Sequence, residues 1–169
     1  MSRARYLSLA IAVGALSLLL VLQASLVSAR GGPKLLEWDA MVGVPAGLTG
    51  TQSQAPLRGI NGGGVAWTLT QGRGELRLDG HLEIKIDGLV LASSGSNPLA
   101  VFRAIVSCVT DTGASQNILT DAFPATTGPA SSGGGDSEIE TSVTLPSPCI
   151  APIVFVTSNG GSWFASTGH

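Results

Sequence analysis

One carboxylate in this chain lies in a segment whose residue types could do chemistry. It is Asp111, within Cys108-Val109-Thr110-Asp111-Thr112-Gly113-Ala114-Ser115, a loop that follows a long apolar run. The segment occurs once. A plain β-turn accounts for the same residues, because Asp, Thr and Gly are ordinary turn formers, and the turn is the reading preferred here. A second candidate is Arg58-Gly59-Ile60-Asn61-Gly62-Gly63-Gly64. Glycines allow positive φ and close backbone approach. A phosphate cradle would need a lysine and a serine or threonine at a following helix start, and Val65-Ala66-Trp67-Thr68-Leu69 reads as a strand instead. Arg58, Asn61, Gly62, Gly63 and Gly64 therefore form a candidate ligand loop and no nucleotide site. His81 and His169 lack neighbouring ligands, so no metal spacing is visible. No G-x-S-x-G elbow is present. Asp136, Glu138 and Glu140 are the densest acidic run; with Asp79 and Asp87 they match no calcium-loop pattern and read as turns and a solvated strand face.

The segment Asp111-Thr112-Gly113-Ala114 after an apolar strand resembles the active-site loop of the aspartic proteases. That resemblance implies a hydrolase acting as a homodimer through Asp111. Two departures weigh against it. Thr110 stands where that family has an apolar residue, and no later Ile-Leu-Gly-like segment supplies the supporting strand. The expectation is no catalytic residue, no cofactor and no metal: a module that is not an enzyme.

The start of the chain indicates a compartment. Arg3 and Arg5 precede an apolar run from Leu7 to Leu22, and small residues follow up to Val27-Ser28-Ala29. This is the layout of a secretory signal peptide cleaved after Ala29. The alternative is a membrane anchor over residues 7–27. Removing residues 1–29 leaves seven basic and eleven acidic side chains, a formal charge of −4. No basic cluster follows Arg30, which argues against nucleic acid as a partner. In an exported chain the two cysteines, Cys108 and Cys149, are expected to form a disulfide.

These residues need a scaffold, and the scaffold is legible around Gly74–Ala92. Leu76, Leu78, Leu82, Ile84 and Ile86 alternate with Glu75, Arg77, Glu83, Lys85 and Asp87. Period-two alternation marks antiparallel strands with one wet face. A turn at Asp79-Gly80-His81 places Leu76 opposite Ile84 and Glu75 opposite Lys85. A turn at Leu78-Asp79-Gly80 suits glycine better but sets Glu75 against Glu83 and puts a leucine in the turn, so the first is expected. At Asp87-Gly88 either a two-residue turn or a continuous strand fits. Residues 30–36 read as a loose leader and Leu35–Val44 as holding the first strand. Leu99–Thr110 should be a long strand with Phe102, Ala104, Val106 and Cys108 on one face. Ile118–Phe123 is a weaker strand. Pro124–Ser137 is too poor in apolar groups to pack and is expected to be mobile. Glu138–Leu145 alternates again. Ile150–Thr157 is apolar on both faces and should be central, with Ser162–Ser166 last. Together these predict an all-β antiparallel sandwich of about eight strands, Greek-key or jelly-roll, over residues 37–168.

Four segments together resemble a group of uncharacterised secreted bacterial single-domain proteins. They are Arg58–Gly64, Phe102-Arg103-Ala104 to Cys108, Pro148-Cys149-Ile150-Ala151-Pro152-Ile153-Val154-Phe155-Val156, and Trp163-Phe164-Ala165. The resemblance covers most of residues 35–168 and implies export and one domain, with no activity attached. The expected role is a secreted binding or structural module. Its partner would be cell-wall polysaccharide or another secreted protein. Trp67 and Trp163 could form an aromatic sugar platform if exposed, although core packing is the preferred use of each.

Overall fold

Alternation sets the framework, and the computed structural model shows how it is used over residues 32–49 and 56–167. The expected signal segment (1–29) lies outside these described residues, as does His169. Fourteen strands, β1 to β14 in chain order, are present among the described residues. Helical structure there is confined to short 3-10 turns such as Ala46–Leu48 and Ala130–Ser132. A four-stranded antiparallel sheet runs β1 (Lys34–Trp38), β4 (Gln71–Arg77), β5 (His81–Asp87), β12 (Ser137–Ser142). A six-stranded antiparallel sheet runs β10 (Phe123–Pro124), β8 (Val101–Val109), β13 (Ile150–Thr157), β14 (Trp163–Thr167), β2 (Met41–Gly43), with β9 (Ser115–Leu119) also on β8. Two small pairs complete the set: β3 (Trp67–Thr68) with β6 (Val90–Leu91), and β7 (Ser96–Asn97) with β11 (Gly128–Pro129).

The dry faces of both sheets contribute to one buried cluster. Leu76, Leu82, Ile84, Ile86 and Ile139 come from the four-stranded sheet; Phe102, Ala104, Val106, Cys108, Val154 and Val156 come from the other. β13 is central, between β8 and β14, and Ile153 to Val156 are all buried, as its two-sided apolar pattern requires.

The hairpin register differs from the expected one. Leu76 faces Leu82 and Glu75 faces Glu83, so the turn is Leu78-Asp79-Gly80. Backbone geometry outweighs the like-charge pair. Gly80 takes φ +87, open to glycine without strain. Asp79 Oδ1 accepts the His81 N–H at 3.1 Å, and the Leu78 N–H bonds Pro33 O at 2.9 Å, holding Leu78 in the turn at 56% exposure. The two-residue turn at Asp87-Gly88 does not form either. Trp67 faces Leu91 and Thr68 faces Val90, in step with Gln71 facing Asp87. One long hairpin therefore runs through both parts, bent where Gly88 takes φ +66.

Three further boundaries move. β1 begins at Lys34, inside the expected leader, and Leu35–Val44 splits into β1 and β2 in different sheets. β9 starts at Ser115, so the strand expected at Ile118–Phe123 comes earlier. Pro124–Ser137 is not a loose loop: backbone hydrogen bonds hold it where apolar side chains are lacking. The Gly135 N–H bonds Thr126 O at 2.6 Å, Ala130 bonds Gly95 O at 3.0 Å, and Leu89 bonds Gly135 O at 3.2 Å. Asp136 Oδ1 accepts the Gly88 N–H at 2.8 Å, and buried Asn97 donates to Thr126 O at 2.9 Å. A side chain at Gly134 would strike the Gly128 carbonyl, so glycine here allows backbone to touch backbone.

Candidate functional site

The cysteines are structural. Cys108 lies buried near the end of β8, Cys149 just precedes β13, and they are bonded with Cα atoms 4.9 Å apart. The link ties two neighbouring strands of the six-stranded sheet.

The glycine-rich loop packs against its own chain. Arg58 (φ +55) and Gly59 (φ +79) form a tight turn closed by the Ile60 N–H on Leu57 O at 2.9 Å. Arg58 Nη2 donates to Ala151 O at 2.9 Å, and Asn117 Nδ2 donates to Arg58 O at 3.1 Å. Arg58 and Ala151 are the two non-glycine residues with positive φ among those described, so the guanidinium ties a strained turn to the irregular start of β13. Gly62 and Gly63 are buried. A Cβ at Gly62 would strike Leu48 O, and one at Gly63 would sit 2.9 Å from the Phe164 ring. Of the five loop residues singled out from sequence, Asn61 and Gly64 are exposed. Trp67 and Trp163 are core residues: Trp67 stacks on Phe164 with centroids 4.1 Å apart, and Trp163 lies 6.0 Å from Phe155.

Asp111 stands exposed on the turn between β8 and β9. Thr110 closes that turn through its N–H to Ala114 O at 2.9 Å, and Gly113 takes φ +79. His81 lies at the start of β5, and among the described residues no cluster of His, Cys, Asp or Glu could hold a metal ion.

The feature that sequence reasoning missed is the wet face of the four-stranded sheet. Glu37 faces Glu75, Glu75 faces Glu83, and Glu83 faces Glu140. Directly paired residues share a face, so four carboxylates stand in one row across four strands. The neighbouring row is Arg73, Lys85 and Glu138. Cations bridge the acids: Lys34 reaches Glu37 at 2.6 Å and Glu75 at 3.1 Å, Lys85 reaches Glu138 at 3.2 Å and Glu83 at 3.5 Å, and Arg73 reaches Asp87 at 3.3 Å. Arg77 Nε donates to Glu75 Oε1 at 2.6 Å. Only the Leu78-Asp79-Gly80 register would reveal the row from sequence, and the Glu75–Glu83 pair and a leucine in the turn both argue against that register.

These pairs shift titration. Hydrogen bonds from Lys34 and then Arg77 hold the Glu75 carboxyl below the ordinary glutamate range. The Glu37 and Glu75 carboxylates raise Lys34, and Glu138 with Glu83 raises Lys85. The His81 N–H lowers Asp79. A lowered carboxyl stabilises the fold above its unfolded pKa and loses that contribution as pH falls through its folded pKa; a raised lysine loses its contribution as pH rises through its folded pKa. Thermal stability should therefore be flat at neutral pH and fall at both extremes. In melting curves against pH, Glu75→Gln should flatten the acid limb, and an unchanged acid limb would show that Glu75 does not supply it.

Two clefts lie on this face. One of about 410 Å³ is lined by Arg73, Lys85, Asp87, Asp136, Glu138 and neighbours; the other, about 220 Å³, by Glu37, Trp38, Asp39, Glu75, Glu83 and again Arg73 and Lys85. The shared Arg73 and Lys85 join them into one charged trough across the strands. Trp38, which borders the smaller cleft, packs in the core, where its indole N–H is buried without a hydrogen-bond partner. Comparison with known proteins finds no matching family, no matching curated protein and no matching solved structure.

Proposed function

We propose that this chain is a secreted, non-enzymatic binding module, a β-sandwich whose ligand surface is the charged trough on the four-stranded sheet. Export rests on the signal-like start and agrees with the disulfide. The sandwich reading rests on the shared core between the two sheets. The observation that carries the binding role is the joining of the two clefts through Arg73 and Lys85. Their linings supply charged and hydroxyl groups, Thr126 and Ser137 included. A polyhydroxylated polymer presents donors and acceptors at this density, so cell-wall polysaccharide is the ligand class favoured over a protein. With Trp67 and Trp163 in the core, recognition would proceed through hydrogen bonds and not through an aromatic platform.

The test is affinity electrophoresis of the protein through gels containing soluble cell-wall polysaccharide. Retardation is expected, and Arg73→Ala with Lys85→Ala should weaken binding about tenfold or more, the scale of lost charged hydrogen bonds, while the melting temperature changes little. Equal mobility with and without polysaccharide would rule out this ligand class.

A further inference from the structure

We infer that the chain forms a twofold dimer by pairing β9 with β9 of a second copy. The inference uses the six-stranded sheet and is independent of the trough. β9 borders that sheet and pairs with β8 alone. The backbone directions are fixed by two bonds flanking the strand: the Thr110 N–H to Ala114 O and the Thr120 N–H to Ala104 O. Hydrogen-bonded pairs alternate in an antiparallel ladder. Gln116 and Ile118 therefore bond inward to β8. Ser115, Asn117 and Leu119 turn their N–H and C=O groups outward, and among the described residues none of these groups has a backbone partner.

Exposed edges are normally guarded by charge, proline or a bulge. β10, on the same side of β8, has Pro124. β9 has none of the three: its sequence is Ser-Gln-Asn-Ile-Leu, and its register with β8 is unbroken over five pairs. The nearest acids, Asp111 and Asp121, lie beyond its ends.

One register satisfies all outward groups at once. Asn117 sits on the twofold axis opposite Asn117 of the second copy, and Ser115 faces Leu119 in both directions. All three pairs are hydrogen-bonded pairs, each exchanging two bonds. Asp111 and Asp121 fall opposite uncharged positions, so neither acid meets its own copy across the axis. Leu119, 44% exposed, would be partly covered by Ser115 of the second copy. Those properties fit a second copy of this chain.

Sedimentation equilibrium on the full chain tests this. A concentration-dependent dimer is expected. Ser115→Glu combined with Leu119→Glu sets like charges face to face and should raise the dissociation constant about tenfold or more. Ser115→Lys with Leu119→Glu sets opposite charges together and should keep the dimer. Both sites are exposed, so both double variants should fold, which circular dichroism will register. A monomer at all concentrations, or the same dimer strength in both double variants, would overturn the inference.

Discussion

Removing the Cys108–Cys149 bridge should destabilise the fold by about 4 kcal/mol, the value the chain-entropy model assigns to a closed loop of 41 residues. A domain of this size has only about 5–15 kcal/mol in total, so the loss is a large share. The bridge joins β8 to the start of β13, the two central strands on which the six-stranded sheet depends. Nearby, Arg58 reaches Ala151 O, so both anchors of the irregular start of β13 lie within a few residues. Guanidinium unfolding with and without reductant is the measurement. The reduced protein should unfold at a clearly lower midpoint, and Cys108→Ala with Cys149→Ala should do the same without reductant. Coincident midpoints would mean that the loop is already restricted in the unfolded chain.

The sequence made the strands legible wherever burial is one-sided or complete. β5, β8 and β13 follow directly from alternation or from a run apolar on both faces. The disulfide followed from two cysteines and a signal-like start. Legibility ended where backbone geometry decides. The Leu78-Asp79-Gly80 turn is chosen by the positive φ of Gly80, against the side-chain charges. Lys34 then lies between Glu37 and Glu75 and offsets the repulsion that made this register look unfavourable, a contact between residues over forty positions apart. Pro124–Ser137 lacks apolar groups yet is held by backbone bonds to Gly95 and Leu89 and by the Asp136 carboxylate accepting the Gly88 N–H. Composition is blind to such bonds.

The candidate site shows the same division. What approaches Gly62 and Gly63 closely is Leu48 and Phe164 of the same chain. The charged trough was invisible because it exists only when the four strands align in the observed register. Charge is also divided between the sheets. The wet face of the four-stranded sheet holds the carboxylate row and its bridging cations. The outward residues of β9 on the six-stranded sheet are uncharged. The proposed ligand surface and the proposed dimer edge therefore lie on different sheets.

Replacing Trp67 by alanine should cost about 3–5 kcal/mol, the range for truncating a large buried aromatic residue. The indole is 6% exposed, stacks on Phe164 at 4.1 Å and meets Phe102 edge-on at 6.4 Å. The third side of this group closes with Phe102 and Phe164 at 6.1 Å. Gly63 lies against both rings of the stack, because a Cβ there would come within 2.9 Å of Phe164 and 3.3 Å of Trp67 Nε1. The glycine-rich loop therefore owes part of its position to this aromatic group, and Trp67→Ala should loosen the loop as well as the core. Aromatic pairs carry about 0.5–1.5 kcal/mol beyond their buried area. A double-mutant cycle with Phe164→Leu should recover a coupling of about that size. Hydrogen exchange in Trp67→Ala should show faster exchange at Gly63, whose N–H bonds Trp163 O at 2.8 Å, while β12 on the other sheet keeps its protection. A full-strength melt in Trp67→Ala accompanied by lost polysaccharide retention would instead make Trp67 a ligand contact.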